Sequence, residues 1–275
     1  MKDWGDCPGQ GCPASSRVVK LRGMTTILDD AIPRGVALEG ASNLRDMGGW
    51  PVADGRRLRF GKLFRSATLA NLTEADVAAV AALGLRTVCD FRGVAEAAER
   101  PSRLPLGAER VSLAIEPTVG ASLGDLMRRQ ESTGEDVVAL LRRAYLDYVT
   151  VYLHRYRQMF ALLLQPERQA LLFHCSAGKD RTGLGAALIL TALGADDATV
   201  MADYVATDRH WRKDFPMPKG APQAAADALY GTHPALLREA LAAAVAPFGA
   251  VPRLLEQGLG LDRERLPRLR DMLLE

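Results

Sequence analysis

The stretch LLFHCSAGKDRTG, residues 171–183, decides how this chain folds around its candidate site. Three apolar residues at 171–173 predict a buried strand, and the apolar run at 184–193 predicts a helix. The loop between them is small, and its Gly178 permits a backbone turn that most residues could not adopt. A strand, a tight loop and a helix in this order direct backbone N–H groups and a helix N-terminus at one point. That geometry binds phosphate.

Within this loop a cysteine and an arginine stand six positions apart, as Cys175 and Arg181. The thiolate is the nucleophilic form of cysteine, and convergent amides beside an arginine stabilise that anion. The planar guanidinium of Arg181 can bind two phosphate oxygens at once, which a lysine cannot do. We therefore predict Cys175 as the nucleophile and Arg181 as the phosphate-binding cation. Thr182 would donate its hydroxyl to the sulfur when the thiolate is regenerated.

The other residues of the loop are predicted to bind the substrate. Ser176, Ala177 and Gly178 would present their amides to the phosphate. Lys179 would add positive charge for substrates with more than one phosphate, or else be a solvated loop lysine. We expect His174 to orient the loop through hydrogen bonds, because a thiolate that has already formed needs no base.

The run HCSAGKDRTG at 174–183 resembles the signature loop of Cys-dependent protein tyrosine phosphatases. Together with NLRDMGG at 43–49 and FRSA at 64–67, it resembles the bacterial protein tyrosine phosphatase B-like family from about residue 40 to the C-terminus. The resemblance implies the α/β Cys-phosphatase fold with a helical lid inserted at about 118–165. It also implies activity on phosphotyrosine, and in some members on phosphoserine, phosphothreonine or phosphoinositides.

Three carboxyl groups compete for the role of general acid, which protonates the leaving oxygen. Asp90 ends an apolar strand, and strand ends of α/β sheets face the ligand crevice. Asp180 lies inside the loop, and Glu116 follows a strand and precedes Pro117. The residues alone favour Asp90 and Asp180 about equally, with an ion pair to Arg92 as the structural alternative for Asp90. The family resemblance implies a position matching Asp90, with Asp180 assisting.

Alternating helices and apolar strands predict an α/β fold with a central, mostly parallel sheet flanked by helices. Thr73 is expected to cap a helix that ends at Leu83, with Asp76 in its first turn. Strands are predicted at 85–91 and 109–115. A helical C-terminal region is predicted, with helices at 182–193, 196–208, 223–229, 234–246, 251–258 and 262–274.

Tyrosines recur at spacings of three and four along a predicted helix, or two stacked helices, at 136–165. They are Tyr145, Tyr148, Tyr152 and Tyr156. This spacing places them on one face of the helix. The stripe is either a packing seam or the aromatic face of a lid that covers the site and excludes water.

At 275 residues, with 48% hydrophobic and 25% charged residues, the chain is long enough for one large globular domain. We predict this domain at 36–275, after a poorly ordered tail at 1–35 that is rich in Gly and Pro and contains Cys7 and Cys12. The four cysteines predict no disulfide framework, and Cys89 is expected in the core.

The charge and hydropathy patterns predict few partners besides a substrate. A net charge of +2 favours neither nucleic acid nor a membrane surface, and no apolar run is long enough for stable membrane insertion. The N-terminus carries no hydrophobic segment of signal-peptide type, which predicts a cytoplasmic location. Export by a route without a cleaved signal would fit the same sequence.

These features predict a phosphoprotein phosphatase that hydrolyses phosphotyrosine through a phosphocysteine intermediate and requires no metal or other cofactor. The alternative is a phosphoinositide or other small phosphomonoester phosphatase, because the same loop chemistry serves all these substrates. A sulfurtransferase of the rhodanese type suits the spacing of Cys175 and Arg181 less well. A non-enzymatic phosphate-binding module would normally lack the nucleophile or the acid.

Overall fold

The structure of the protein, a computed structural model, describes residues 17–21, 24–29, 32–213, 215, 217 and 219–275. The predicted tail at 1–35 lies largely outside these residues, as do Cys7 and Cys12. Within residues 1–35 the structure describes two strands, Arg17–Leu21 and Met24–Asp29, and most of a third, Ile32–Val36. The boundary between tail and domain stays a prediction.

The described chain forms one eight-stranded sheet in the order β1-β2-β3-β4-β5-β8-β6-β7. The strands are β1 (Arg17–Leu21), β2 (Met24–Asp29), β3 (Ile32–Val36), β4 (Arg45–Asp46), β5 (Leu63–Ser66), β6 (Thr87–Asp90), β7 (Glu109–Ser112) and β8 (Leu171–His174). Strands β5, β8, β6 and β7 run parallel to one another, which confirms the predicted α/β sheet for the strands that carry the site. Strands β1 to β5 pair antiparallel and extend one edge, a feature that the sequence did not predict.

Helices flank this sheet and make up most of the C-terminal region, as predicted. They are α1 (Glu74–Ala81), α2 (Val94–Glu99), α3 (Gly120–Arg128), α4 (Gly134–Thr150), α5 (Leu153–Leu163), α6 (Asp180–Leu193), α7 (Asp197–Val205), α8 (Thr207–His210), α9 (Gln223–Tyr230), α10 (Pro234–Val245), α11 (Val251–Arg253) and α12 (Arg265–Leu273). Among the described residues, no single helix has the length and composition to cross a membrane. The helical segments Pro234–Phe248 and Val251–Gly258 have that length and composition only in combination, and a bend separates them.

Strand β8 is apolar on both faces because a separate core lies on each side of the sheet. Leu171 and Phe173 pack into the larger core with α4, α5, α6 and α10, whereas Leu172 packs into the smaller core with Val80 of α1. Successive side chains of a strand point to opposite faces, so a strand buried on both sides reads as a continuous apolar run.

Two predicted caps show how local sequence fixes helix ends. The Thr73 hydroxyl accepts the amide of Asp76, and the Asp76 carboxylate accepts the amide of Thr73, so the predicted cap of α1 is confirmed. Thr133 and Asp136 form the same reciprocal pair at the start of α4. The predicted helical stretch at 136–165 is two helices, because α4 ends at Thr150 and α5 begins at Leu153.

The register of the parallel strands gathers the candidate residues at one edge. His174 pairs with Ser66 on one side and with Asp90 on the other. The carboxyl ends of β5, β6 and β8 are therefore level, and the chain leaves all three at the same edge of the sheet. Ligand sites in α/β sheets lie at this edge.

Candidate active site

The loop of residues 175–181, called the phosphate loop below, has its carbonyls held outward. The carbonyl of Ser176 accepts the amide of Thr68 at 2.9 Å, and the Asn43 amide donates to the carbonyls of Ala177 and Gly178, each at 3.0 Å. Within the described part of the chain, the amides of residues 176–179 donate no hydrogen bond. Four free N–H groups beside the start of α6 are a cradle for an anion.

Gly178 allows this loop to turn where no other residue fits. Its φ is +66°, and a Cβ atom there would lie 2.3 Å from the carbonyl oxygen of Ser66. The backbone of β5 therefore presses directly on the turn. Both the left-handed conformation and the close approach require glycine, as the sequence predicted.

A buried charge cluster, Arg45, Arg65 and Asp203, lies behind the phosphate loop. Both arginines pair with Asp203, and Arg65 also donates to the carbonyl of Gly178 at 2.8 Å. Burial would raise the pKa of Asp203, but the charges of Arg65 and Arg45 hold it below its ordinary value. Burial, and next the neighbouring Arg65, lower the pKa of Arg45 to about 9. With two arginines to one carboxylate, the cluster carries net positive charge behind the loop.

Arg181 is fixed by Glu96, a residue that the sequence did not single out. Nη1 lies 2.6 Å from Oε2 of Glu96 and Nη2 lies 3.1 Å from Oε1. Nη1 also donates to the carbonyl of Ile115 at 3.0 Å. Among the described residues, Nε of Arg181 has no acceptor. Nη2 also lies 3.4 Å from the hydroxyl of Ser176, so Nε is the guanidinium nitrogen left for a contact with phosphate.

Glu96 is held in turn by the first turn of α2 and by the phosphate loop. Its Oε2 accepts the amide of Gly93 at 2.8 Å and its Oε1 accepts the hydroxyl of Ser176 at 2.6 Å. Burial alone would raise the pKa of Glu96, but Arg181, Ser176 and Gly93 lower it to about 2. Burial likewise opposes the charge on Arg181, yet Glu96 and the nearby Cys175 raise the pKa of Arg181 above its ordinary value. In sequence, Glu96 stands three residues after a helix start, which indicates only a capping role.

Asp90 is fully buried and bonded to two arginines. Nε and Nη2 of Arg92 donate to its two oxygens at 2.9 and 2.7 Å, and Nε of Arg110 donates at 2.9 Å. Burial would raise the pKa of Asp90, but His174, 3.8 Å away, and Arg92 hold it well below the ordinary range. The ion pair with Arg92, weighed above as an alternative, is present. Asp90 does not line the cavity above Cys175.

Asp180 does line that cavity, with its side chain 20% exposed. The hydroxyl of Tyr145 donates to Oδ1 of Asp180 at 2.8 Å. The third candidate, Glu116, accepts the amide of Val94 at 2.9 Å at the start of α2 and lies outside the cavity lining. Of the three predicted carboxyl groups, the structure therefore brings only Asp180 to the space above the sulfur.

Lys179 lines the cavity above the loop, but its ammonium is bonded within the protein. Its ammonium donates to the carbonyls of Leu229 and Gly231, both at 2.8 Å, and lies 3.4 Å from Oδ1 of Asp180. The residue is 1% exposed. It ties the phosphate loop to the end of α9, so the solvated lysine of the alternative interpretation is not what the structure has.

Cys175 is 3% exposed, and His174 and Thr182 flank the phosphate loop on its two sides in sequence. The hydroxyl of Thr182 is buried and makes no hydrogen bond within the described residues. Nδ1 of His174 donates to the carbonyl of Cys175 at 3.0 Å, and burial lowers the pKa of this imidazole. The expected orienting role of His174 agrees with that contact. Cys89 is packed in the core as predicted, and burial raises its pKa to about 12.

A cavity of about 220 Å³ opens above the phosphate loop. Cys175, Ser176, Ala177, Asp180, Arg181 and Glu96 contribute its polar floor. Its walls are mostly apolar or aromatic and come from α3, α4, α9 and the segments beside them: Pro117, Val119, Leu123, Leu141, Tyr148, Trp211, Phe215, Leu229 and Tyr230. The break between α4 and α5 divides the predicted tyrosine stripe: Tyr145 and Tyr148 belong to α4, and Tyr156 to α5. Tyr148 lines the cavity, and Tyr156 packs in the core and donates to the carbonyl of Arg181 at 3.0 Å. The packing role is therefore present, and the lid stays a prediction.

A family model and several known proteins match parts of this chain. A model of the tyrosine phosphatase family matches residues 36–275. A Cupriavidus necator protein, named as a candidate tyrosine-protein phosphatase, is 35% identical over 178 residues, which cover 63% of this chain and 63% of that protein. The triple specificity protein phosphatase PtpB of Mycobacterium tuberculosis is 33% identical over 192 residues, which cover 61% of this chain and 67% of PtpB.

The chain spans only part of some relatives and matches solved structures loosely. The match covers half the length of a tyrosine-protein phosphatase of Nostoc commune, at 33% identity and over 55% of this chain. It covers less than two thirds of the Cupriavidus protein. The crystal structure of P. aeruginosa TpbA is 20% identical with a TM-score of 0.29, and covers 68% of this chain and 90% of that one.

Proposed function

Because this chain belongs to the tyrosine phosphatase family, we propose that it hydrolyses phosphotyrosine in proteins through a phosphocysteine intermediate. One observation carries the proposal. The carbonyls of the phosphate loop are bonded outward, so that free amides, the Cys175 sulfur and Nε of Arg181 are left to one cavity. Such a set of donors stabilises the charge that develops on phosphate oxygens during transfer.

In the first step, the thiolate of Cys175 attacks phosphorus and the bond from phosphorus to the tyrosine oxygen breaks. Asp180 donates its proton to that oxygen, so tyrosine leaves as a neutral phenol. In the second step, ionised Asp180 takes a proton from water, whose oxygen attacks phosphorus. The S–P bond breaks, and inorganic phosphate and the thiolate are released, with Thr182 as hydrogen-bond donor to the sulfur. In this proposal Asp90 positions Arg92 and His174 and does not transfer the proton.

The walls of the cavity support an aromatic substrate over an inositol lipid. Tyr148, Trp211, Phe215 and Tyr230 offer rings and apolar surface to a phenyl group. Lys179, predicted for substrates with a second phosphate, is already bonded to two carbonyls and to Asp180. Hydrolysis of phosphoserine, phosphothreonine or phosphoinositides is the second candidate for this chain, whose relative PtpB is named a triple specificity protein phosphatase.

The decisive comparison uses a phosphotyrosine peptide, a phosphothreonine peptide and a phosphoinositide at equal enzyme, with and without EDTA. We expect the phosphotyrosine peptide to react fastest and EDTA to have no effect, because Arg181 and the amides supply the positive charge. Cys175→Ser should abolish turnover and retain substrate binding. Normal turnover by Cys175→Ser would contradict the mechanism, and faster phosphoinositide hydrolysis would favour the alternative. The cytoplasmic location stays a prediction from the sequence.

A further inference from the structure

A chain of hydrogen bonds runs from Asp180 into the core. The hydroxyl of Tyr145 lies 2.8 Å from Oδ1 of Asp180 and 2.6 Å from the hydroxyl of Tyr204. The oxygen of Tyr204 accepts the backbone amide of His233 at 3.0 Å. Both tyrosines are buried, at 1% and 0% exposure. The chain therefore links α4, α7 and the start of α10 to the cavity.

A backbone amide fixes the direction of this chain, because an amide N–H can only donate. The amide of His233 occupies the oxygen of Tyr204. If Tyr204 then donates to Tyr145, and Tyr145 donates to Asp180, every buried donor has an acceptor. In the reverse direction the Tyr204 hydroxyl would have no acceptor, and an unsatisfied buried donor is costly. Burial and the charge of Asp180 raise the pKa of Tyr145, and burial raises that of Tyr204, so both hydroxyls keep their protons.

From this direction we infer that Tyr145 is a positioning residue that keeps Oδ1 of Asp180 an acceptor, so that the acid form carries its proton on Oδ2. The inference rests on the proposed function, in which Asp180 is the general acid. Lys179 reinforces it, since its ammonium also approaches Oδ1, at 3.4 Å. Within the described residues Oδ2 makes no hydrogen bond, which leaves it available to the leaving oxygen.

The groups around Asp180 that titrate or carry charge come from several elements. They are Cys175, Lys179 and Arg181 of the loop and the start of α6, Glu96 of α2, Tyr145 and Tyr148 of α4, Tyr156 of α5, and Tyr204 of α7. Of these groups, Tyr145 and Lys179 contact the carboxylate of Asp180, at 2.8 and 3.4 Å. Of these two, only Tyr145 continues into the core.

Removal of the Tyr145 hydroxyl should change how Asp180 titrates. A donor to a carboxylate favours the ionised form, so Tyr145→Phe should move the basic limb of the kcat/KM profile upward by about one pH unit. It should also lower kcat, because the proton is no longer confined to Oδ2, while KM changes little. The loss should be larger for phenyl phosphate than for p-nitrophenyl phosphate, whose leaving group needs less protonation.

Tyr204→Phe supplies a second test, since Tyr204 acts on Asp180 only through Tyr145. Alone it should move the basic limb in the same direction by a smaller amount. In the Tyr145→Phe background it should add no further shift, although mutations at independent sites would add. Tyr152→Phe is the matched control, because Tyr152 lies between α4 and α5 and outside the cavity lining. It should leave the profile unchanged.

The carboxyl carbon of Asp180, followed by NMR over a pH series in Cys175→Ser protein, separates this inference from the proposed function. The midpoint of this NMR pH titration should rise in Tyr145→Phe and stay unchanged in Tyr152→Phe. An unchanged midpoint and an unchanged basic limb in folded Tyr145→Phe would overturn the inference. If the kcat/KM profile of Asp180→Asn kept the basic limb of the native enzyme, Asp180 would not be the general acid, and the proposed mechanism would be wrong. The NMR midpoint would still decide whether Tyr145 controls this carboxyl.

Discussion

Arg181 and Glu96 meet edge to edge, with Nη1–Oε2 at 2.6 Å and Nη2–Oε1 at 3.1 Å. This pair uses the end of the guanidinium and leaves its Nε side open to the cavity. A cation that binds phosphate in one orientation contributes more to the transition state when it does not have to reorient. Glu96 is therefore expected to matter for catalysis although it transfers no proton.

Glu96→Gln should lower kcat/KM by about 10- to 100-fold, because Arg181 loses its charged partner and its fixed orientation. Steady-state kinetics with p-nitrophenyl phosphate would measure the loss. Glu99→Gln, at an exposed position of the same helix α2, is the control and should retain activity. Equal rates for Glu96→Gln and the native enzyme would contradict the positioning role.

The same pair should make stability depend on pH at the acid end. The pKa of Glu96 is about 2 in the folded protein against 4.5 ordinarily, so its contribution is complete above pH 4.5 and is lost as the pH falls towards 2. The difference in unfolding free energy between the native protein and Glu96→Gln should shrink across that interval. Urea unfolding at several pH values measures it. A difference that stays constant down to pH 2 would rule out the depressed pKa.

Asp180→Asn and Asp90→Asn should have different kinetic signatures. Asp180→Asn should remove the basic limb of the pH–rate profile, because the amide cannot donate the proton. Asp90→Asn should keep that limb and lower the thermal midpoint, since Arg92 loses a buried partner at 2.7 Å. Loss of the limb in Asp90→Asn alone would assign the acid to Asp90, as the family resemblance implies.

Asp203→Asn should destabilise the fold by about 3–5 kcal/mol, because two buried arginines lose their shared carboxylate. Asp197→Asn is a matched control in the same helix α7, where the pair with Arg238 is exposed and screened by solvent. Denaturant midpoints compare the two variants, and the control should be nearly unchanged. Similar midpoints for both variants would contradict the stabilising role of the buried cluster.

Gly178→Ala should disrupt the phosphate loop more than the same substitution does at a glycine that has a positive φ but no close neighbour. Its Cβ would lie 2.3 Å from a carbonyl of β5, whereas Gly84, with the same φ of +66°, has no atom within 4 Å of such a Cβ. Gly84→Ala should therefore cost only the left-handed strain of about 1 kcal/mol, with activity retained. Phosphate affinity and activity should fall steeply in Gly178→Ala. Comparable activity in both variants would exclude the steric role of Gly178.

The local features that the sequence indicates depend on neighbours along the chain. Cys175 and Arg181 lie in one loop, whose amides, turn and helix start are adjacent in sequence, so spacing alone indicates a phosphate cradle. The cap of α1 is local for the same reason, because Thr73 and Asp76 satisfy each other within one turn. The predicted strand at 109–115 is β7, Glu109–Ser112, shortened at its end.

The local sequence pattern did not predict the partners of polar side chains that bond to residues elsewhere in the fold. Thr232 precedes α10 but does not cap it, because its hydroxyl donates to Asp208 and the cap position is His233. Asp90 ends its strand at the edge that the sequence predicted, but Arg92 and Arg110 engage both of its oxygens.

The sequence by itself determined the phosphate loop, because a ring of consecutive amides is a local structure that seven residues can specify. The tertiary structure decided what surrounds it. Glu96 reaches Arg181 from a distant helix, Lys179 is turned to the end of α9, and Tyr145 reaches Asp180 from α4. Ion pairs and buried hydroxyl chains depend on which strands and helices lie side by side, and one-dimensional spacing does not encode those distances.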